Sequence, residues 1–404
     1  MMRPLGLSDT IFYNLGDAYI TGMAILAGQC DLAILVAETE GVVKALPGLA
    51  ERQMRLGFWS FARPAGPIDL AGHLAIIRDR TITEIAQVEP LLDRLRRSPI
   101  RNDGPPWRIL VLNPAESGAA KGATPLCALF VQARHGLADA TRWFQIFGGM
   151  DRRDPSPAHI ALAARIPTFA MTEVADEVAV HDEGLSILQV QRRGMSRDGD
   201  ASERLAMIAA SAVGDPGLFP HAQPLRGNVG RTRFILRRGA ANGVGNHIKM
   251  VTVKTHGQGG RRRLRIPGLA RAQELPLSQW LVALAPRWLA RRLMRVWYAN
   301  FDAVATLVPL PRRLHLGGRA VISVFGVPPL WGPVPLVLFA IADGGQYHVV
   351  IIPGRGFKAR REVLTEHIRR LLNPDAPLDA PARAVEPRRV TANAAPVPVA
   401  FAKR

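Results

Sequence analysis

His135 and Asp139 form the one histidine–aspartate pair in which the aspartate follows four residues on, although the chain holds ten histidines. The apolar run Leu126–Gln132 (LCALFVQ) leads through Ala133 and Arg134 into His135, and helix-forming sequence begins just after Asp139. A loop between a strand and a helix holds a side chain on two rigid elements and can present it to a cleft. A neutral imidazole there can take a proton from a hydroxyl near neutral pH. Asp139 stands where a helix N-cap would. The plainer reading of the same residues is a capped helix beside a surface histidine, and spacing alone does not separate the two. Other chemistries lack their signatures. There is no GxxxxGK[ST] phosphate loop, no GxSxG elbow and no HExxH or comparable metal spacing, so neither a bound cofactor nor a metal is expected.

The elements that must position this loop follow from periodicity and punctuation. Helices are expected near Thr10–Tyr13, over Val42–Leu56 and over Thr83–Arg97, and a turn at Arg101–Pro106 leads into the strand Arg108–Leu112. A helix is expected over Ala140–Phe147, with further helices at Pro155–Ile166 and Ser202–Ala212. The second half reads as strands at Thr232–Arg237, His247–Val253, Ala320–Phe325, Leu336–Ala342 and Tyr347–Ile352, closed by a helix at Glu362–Leu372. Without a regular strand–helix repeat, the pattern favours α+β layers, an α/β sandwich, over a doubly wound sheet. The uncharged stretch Ala320–Ile341 contains Pro328, Pro329, Pro333 and Pro335, so it reads as two buried strands and not as one membrane-spanning helix. The Gly/Pro-rich segment Gly214–Arg226 suggests a junction, giving a first lobe over 1–170, a connection over 171–225 and a second lobe over 226–372. Residues 373–404, rich in Pro, Ala and Arg, read as a disordered tail.

The 404 residues carry a formal charge of +19, and the block from Pro216 to Phe301 holds sixteen basic residues against one acid, Glu274. Such a block is either a solvated face or an attractor for an anion: a phosphorylated co-substrate, an acidic lipid surface or nucleic acid. Nucleic acid is not expected, because the block lacks finger spacing and an aromatic string. One stretch, Arg287–Tyr298 (RWLARRLMRVWY), is a basic amphipathic helix with Arg287, Arg291, Arg292 and Arg295 on one side. Trp288, Leu289, Leu293, Val296 and Trp297 form its expected apolar face. It fits a surface helix packed on the core or a helix lying in a membrane interface. Two cysteines exclude a disulfide scaffold, and Asp9 interrupts any secretory h-region, so a cytoplasmic protein is expected, with peripheral contact to an anionic membrane.

Six segments, in order, resemble the wax ester synthase / acyl-CoA:diacylglycerol acyltransferase family. Pro4-Leu5-Gly6-Leu7-Ser8-Asp9-Thr10-Ile11-Phe12 is similar to its opening PLSxxDxxF, Asp69-Leu70-Ala71-Gly72-His73 to FDxxxH, and Pro105-Pro106-Trp107 to RPLWE. Arg134-His135-Gly136-Leu137-Ala138-Asp139-Ala140 falls at HHxxxDG, Gly245-Asn246 at a GN motif and Thr306-Leu307-Val308-Pro309-Leu310-Pro311 at SNVPGP. The resemblance implies the CoA-dependent acyltransferase superfamily, shared with peptide-synthetase condensation domains: two lobes with a tunnel between them. It implies His135 as general base for an alcohol acceptor attacking an acyl-CoA thioester, and Asp139 as a structural residue holding the loop. The basic second lobe would suit the CoA phosphates. Departures are Arg134 for the first histidine, Ala140 for the last glycine, and a short segment before Gly245, which implies a trimmed second lobe. Three readings follow: an acyl-CoA-dependent O-acyltransferase, a degenerate homologue that binds lipid, CoA or a protein partner without catalysis, or an esterifying enzyme that takes its acyl group from a carrier and shares the same loop.

Overall fold

The computed structural model describes residues 2–373 apart from 16–18, 79–81, 101–103, 114–125, 136, 138–153, 172–183, 192–197, 221–228, 238–247, 259–260, 266–275, 300, 311–313, 330–333, 344 and 355. Asp139, Ala140, the helix expected over Ala140–Phe147, Gly245-Asn246 and the tail after Asn373 lie outside the described residues.

The chain opens with β1 (Arg3–Pro4), α1 (Leu7–Asn14), β2 (Tyr19–Ala27) and α2 (Leu32–Ala45). A hairpin of β3 (Glu51–Leu56) and β4 (Trp59–Pro64) follows, then β5 (Leu74–Ile77), α3 (Val88–Arg97), β6 (Trp107–Leu112), β7 (Leu126–Arg134), α4 (Pro157–Ala163) and β8 (Thr168–Phe169). The next stretch comprises β9 (Ser186–Gln191), α5 (Asp198–Val213), β10 (Val229–Arg237), β11 (Ile248–Gln258), β12 (Arg261–Arg265), α6 (Pro276–Leu284) and α7 (Arg287–Tyr298). It ends with β13 (Ala303–Pro309), β14 (His315–Leu316), β15 (Arg319–Val327), β16 (Leu336–Ala342), β17 (Gln346–Pro353) and α8 (Arg361–Leu372).

Two seven-stranded sheets carry the fold, in the orders β14-β15-β2-β7-β6-β5-β8 and β12-β11-β10-β13-β16-β17-β9, and β1-β4-β3 make a small third sheet. The expected α+β, two-lobed architecture is therefore present. β16 (LVLFAIA) is buried at every position, as a strand covered on both faces must be. α3 buries Val88, Leu92 and Leu95 at helical spacing, and Pro90 is tolerated because it sits in the first turn.

Local expectations fail in instructive places. The helix expected over Val42–Leu56 ends at Ala45, where Leu46, an extended residue before Pro47, turns the chain into β3. β3 and β4 join through the two residues Gly57 and Phe58, with Gly57 at φ 60°. The two strands read within Ala320–Ile341 both exist, but β15 pairs with β2 in the first sheet and β16 with β13 in the second. The helix over Arg287–Tyr298 is present as α7, yet its buried stripe is Ala290, Met294 and Tyr298. Trp288 is 66% exposed and Val296 62% exposed, so much of the apolar face expected to pack inward points to solvent.

α6 and α7 are held against the first lobe by polar clamps. The Asn14 amide donates to the carbonyl oxygens of Val282 and Ala283. Arg55 donates to the carbonyls of Leu284 and Ala285, both at 3.0 Å, and to Asn14 Oδ1 at 2.9 Å. A guanidinium at a helix C-terminus satisfies orphan carbonyls and opposes the negative end of the dipole. Arg291 Nε donates to the Leu15 carbonyl at 3.1 Å. Arg55→Met should therefore destabilise the protein by about 2–3 kcal/mol, the usual worth of charged hydrogen bonds lost from a part-buried site. A thermal melt tests this, and an unchanged melting temperature would show that the clamp contributes nothing.

Candidate active site

β7 is bracketed by β2 and β6, with Arg134 opposite Tyr19 and Ala133 opposite Trp107. The strand ends at Arg134, whose carbonyl accepts from the Leu137 amide at 2.9 Å, and this turn presents His135. His135 is 6% exposed, and its ring lies parallel to Phe12 of α1, 4.2 Å between centroids and 9° between planes. Flat stacking on a buried phenyl ring restricts imidazole rotation. Phe12 itself is 2% exposed, and α1 packs against α6, α7 and β4. The next α1 residue, Tyr13, has Arg134 at 5.6 Å and Arg287 at 5.0 Å from its ring centroid, so two guanidiniums from distant parts of the chain share one aromatic ring.

Two further motif segments converge on the same end of the sheet. Asp69 caps a short turn by accepting from the Ala71 amide at 3.1 Å, and His73 follows that turn. The His73 ring stacks on Trp107 at 4.2 Å, and its Nδ1 is 2.9 Å from the Trp107 carbonyl, to which it donates. Trp107 Nε1 donates to the Leu49 carbonyl at 2.9 Å, and the Arg134 amide to the Pro106 carbonyl at 2.9 Å. The DLAGH and PPW segments thus pack on each other and brace the strand end that carries His135. Burial lowers the His73 pKa, against the hydrogen bond to Trp107 and the charge of Asp69.

Sequence spacing points to His135 with Asp139, and Asp139 lies outside the described residues. The same spacing does not point to a second histidine–carboxylate pair. His348 Nε2 is 3.0 Å from Asp343 Oδ2, across the β16–β17 turn and in the reverse chain order. Gln189 Nε2 donates to His348 Nδ1 at 3.2 Å and to Ser323 Oγ at 2.7 Å, joining β9 and β17 of the second sheet to β15 of the first. These partners fix the tautomer: Nε2 carries the proton and gives it to Asp343, and Nδ1 accepts. Burial alone would raise the Asp343 pKa, but the bond from His348 and those from the Gly345 and Gln346 amides together hold it below the ordinary carboxylate range. His348 is 0% exposed with both ring nitrogens engaged, so it pins the two sheets together and has no atom left to offer a substrate.

Among the residues that sequence reasoning left without a role, Phe12 and Tyr13 are the ones that touch the site or its flank. Phe12 was marked only as the last letter of a motif, and nothing in its spacing from His135 announces a stack. Gly136, which follows His135, lies outside the described residues together with 138–153.

No protein-family model and no curated protein matches the sequence. Solved structures match by fold. The first condensation domain of the calcium-dependent antibiotic synthetase, in complex with substrate analogue 3a, aligns with a TM-score of 0.55 at 12% identity, covering 92% of this chain and 96% of its own. A mutant starter condensation domain of the rhizomide synthetase RzmA, in complex with C8-CoA and Leu-SNAC, also gives 0.55 at 12% identity, over 92% of this chain and 93% of its own. The condensation domain of the Monacolin K polyketide synthase MokA gives 0.50 at 11% identity, over 93% and 98%. The chain therefore has the condensation-domain fold along most of its length, while the likeness to wax ester synthases remains one of motifs.

The His73 shift has a measurable consequence. Its folded pKa lies below the ordinary value of about 6.5, so below that pH the unfolded chain binds a proton that the folded chain resists. The stability present above about pH 6.5 is lost as the pH falls through the folded value. His73→Gln, whose amide can still donate to the Trp107 carbonyl, should flatten the decline of melting temperature below about pH 6.5. An identical slope in the variant would show that His73 stays protonatable in the fold.

Proposed function

We propose that the chain is an acyl-CoA-dependent O-acyltransferase that moves a fatty acyl group to an alcohol or diacylglycerol hydroxyl. The observation that carries this reading is the placement of His135. In a condensation-domain fold, the histidine of the HxxxD segment ends a central strand of the first sheet, buried and oriented by Phe12. The solved neighbour bound to C8-CoA supports acyl-CoA as the donor class.

The chemistry balances without a metal or cofactor. His135 takes the proton of the acceptor hydroxyl as its oxygen bonds to the thioester carbonyl carbon. The tetrahedral intermediate collapses, the carbon–sulfur bond breaks, and the proton held by His135 goes to the departing CoA sulfur. The products are an ester and free CoA. Asp139 holds the loop and moves no proton. The backbone register sets Arg231, Lys254 and Arg265 opposite one another across β10, β11 and β12. The excess of Lys and Arg in this half of the sequence suits the phosphates of CoA. The acceptor arrives from an anionic membrane surface that the protein meets peripherally. Among the described residues no helix is long and apolar enough to cross a membrane.

Purified protein given labelled palmitoyl-CoA with a panel of alcohols and diacylglycerol should release free CoA and form ester. His135→Gln should lower turnover by about 10²–10⁴-fold, the yield of a general base, while the thermal melt stays near wild type. Asp139→Asn should lower both the melting temperature and the rate. Undiminished turnover in His135→Gln would remove the mechanism. Absence of any ester with the whole panel would favour the second reading, a non-catalytic homologue that binds lipid or CoA.

A further inference from the structure

We propose that the outer side of α6 and α7, together with the tip of the β3–β4 hairpin, is an interfacial docking surface for an anionic phospholipid bilayer, set one helix away from His135. The use of that surface to deliver lipid hydroxyls rests on the acyl-transfer reading; the docking itself does not.

The surface is built from three elements that show large apolar side chains to solvent. Phe58 is 67% exposed at the tip of the two-residue turn. Trp59 beside it meets Trp280 of α6 edge-on, 6.0 Å between ring centroids, so the hairpin and α6 share one aromatic patch. Leu281 on α6 and Trp288 on α7 are exposed as well. α7 already buries Ala290, Met294 and Tyr298 in the core, so its exposed tryptophan is surplus to folding. An exposed apolar patch of this kind marks a contact with something else.

The charge of the patch selects the partner. Arg292 and Arg295 are exposed on the same helix, and no acidic residue occurs from Pro276 to Ala299 or from Arg52 to Ile68. Arg287 and Arg291 belong partly to the fold, over Tyr13 and on the Leu15 carbonyl, which leaves Arg292 and Arg295 as the cations without such duties in the first lobe. Tryptophan and arginine side by side suit the headgroup level of a bilayer, where an indole ring sits half in acyl chains and a guanidinium pairs with phosphate. The apolar part projects from a turn and two helices, and a soft interface accepts such a projection without a matching cavity. An acidic protein would need that cavity.

The patch also communicates with the candidate site by direct contact. α1 stacks Phe12 on His135, and its next residues, Tyr13 and Asn14, hold Arg287 and the α6 carbonyls. A bilayer under α6 and α7 is therefore separated from the imidazole by one packed helix, α1.

The test is flotation of the full-length chain with vesicles of phosphatidylcholine alone and of phosphatidylcholine containing phosphatidylglycerol, without substrates and over a range of salt. The wild type should float with the phosphatidylglycerol vesicles and detach as salt rises, because exposed charges are screened within about 8 Å at physiological ionic strength. Arg292→Gln with Arg295→Gln should weaken binding by about fivefold per arginine. Phe58→Ser with Trp288→Ser should weaken it by roughly tenfold or more, and these exposed changes should leave the thermal melt unaltered. No flotation of the wild type, or equal flotation with both vesicle types, would overturn the proposal. So would a concentration-dependent dimer by sedimentation that Phe58→Ser and Trp288→Ser abolish, since the patch would then face a second copy. Ester formation is assayed separately, with acceptor in detergent micelles and in vesicles. Vesicle binding without ester would leave the docking surface standing and remove the acyl-transfer reading. Ester in micelles without vesicle binding would do the reverse.

Discussion

The parallel pairing of β13 with β10 and with β16 is the constraint from which the arrangement of the two lobes follows. A parallel neighbour cannot be reached by a tight turn; the chain must leave the sheet, cross over and return. Both crossovers here are spent on the first lobe. Between β10 and β13 the chain passes through α6 and α7, whose carbonyls Asn14 and Arg55 hold. Between β13 and β16 it passes through β14 and β15, and β15 completes the first sheet beside β2. Neither sheet can therefore form its final edge without the other half of the chain. The Gln189, Ser323 and His348 chain of hydrogen bonds lies across this junction, where buried polar groups must find partners or cost stability.

This constraint also explains which parts of the fold were legible in the sequence. The runs VISVF and LVLFAIA announce strands by composition, and the prolines between them announce a break. Nothing local states that the break carries the chain from one sheet to the other, because a strand's pattern encodes burial and not its partner. β12, with the sequence RRRLR, was invisible for a related reason: its pairing with β11 comes from the hairpin and not from any apolar alternation. The helix expected over Val42–Leu56 failed at Leu46, where Pro47 and Gly48 outweigh a helical period that continues by chance. α7 is a helix as its period announces, but the period does not say how its apolar residues divide: Ala290, Met294 and Tyr298 are buried, while Trp288 and Val296 are exposed.

The candidate site divides in the same way. His135 stands out in the sequence because an apolar run leading into a histidine, with a carboxylate four residues on, is a local pattern. The Phe12 stack was not, since it brings together residues more than a hundred positions apart on elements whose packing depends on α6 and α7. Local pattern also hid the His348–Asp343 pair, which a β-turn assembles in the opposite order. Both histidines are buried, and both stand near an aromatic ring, Phe12 for His135 and Phe325 for His348. The partners of His348 engage both of its ring nitrogens and join two sheets, which is the work of a structural group.

Arg134 occupies the position where the resembled motif has its first histidine, and its surroundings show what that change accomplishes. A histidine there would be largely neutral at physiological pH, whereas a guanidinium is always charged and planar. Arg134 uses both properties on Tyr13, lying over one ring with Arg287, which comes from α7 in the crossover between β10 and β13. Its Nε is buried without a hydrogen-bond partner, a cost that cation–π contact with Tyr13 offsets at about 0.5–2 kcal/mol. The side chain thus ties the turn that presents His135 to α1, and through Tyr13 to α7. In a chain whose two lobes are held together by crossovers, the residue next to the candidate base is also a tie between them, since Arg134 of the turn that presents His135 and Arg287 of α7 meet on the same aromatic ring, Tyr13.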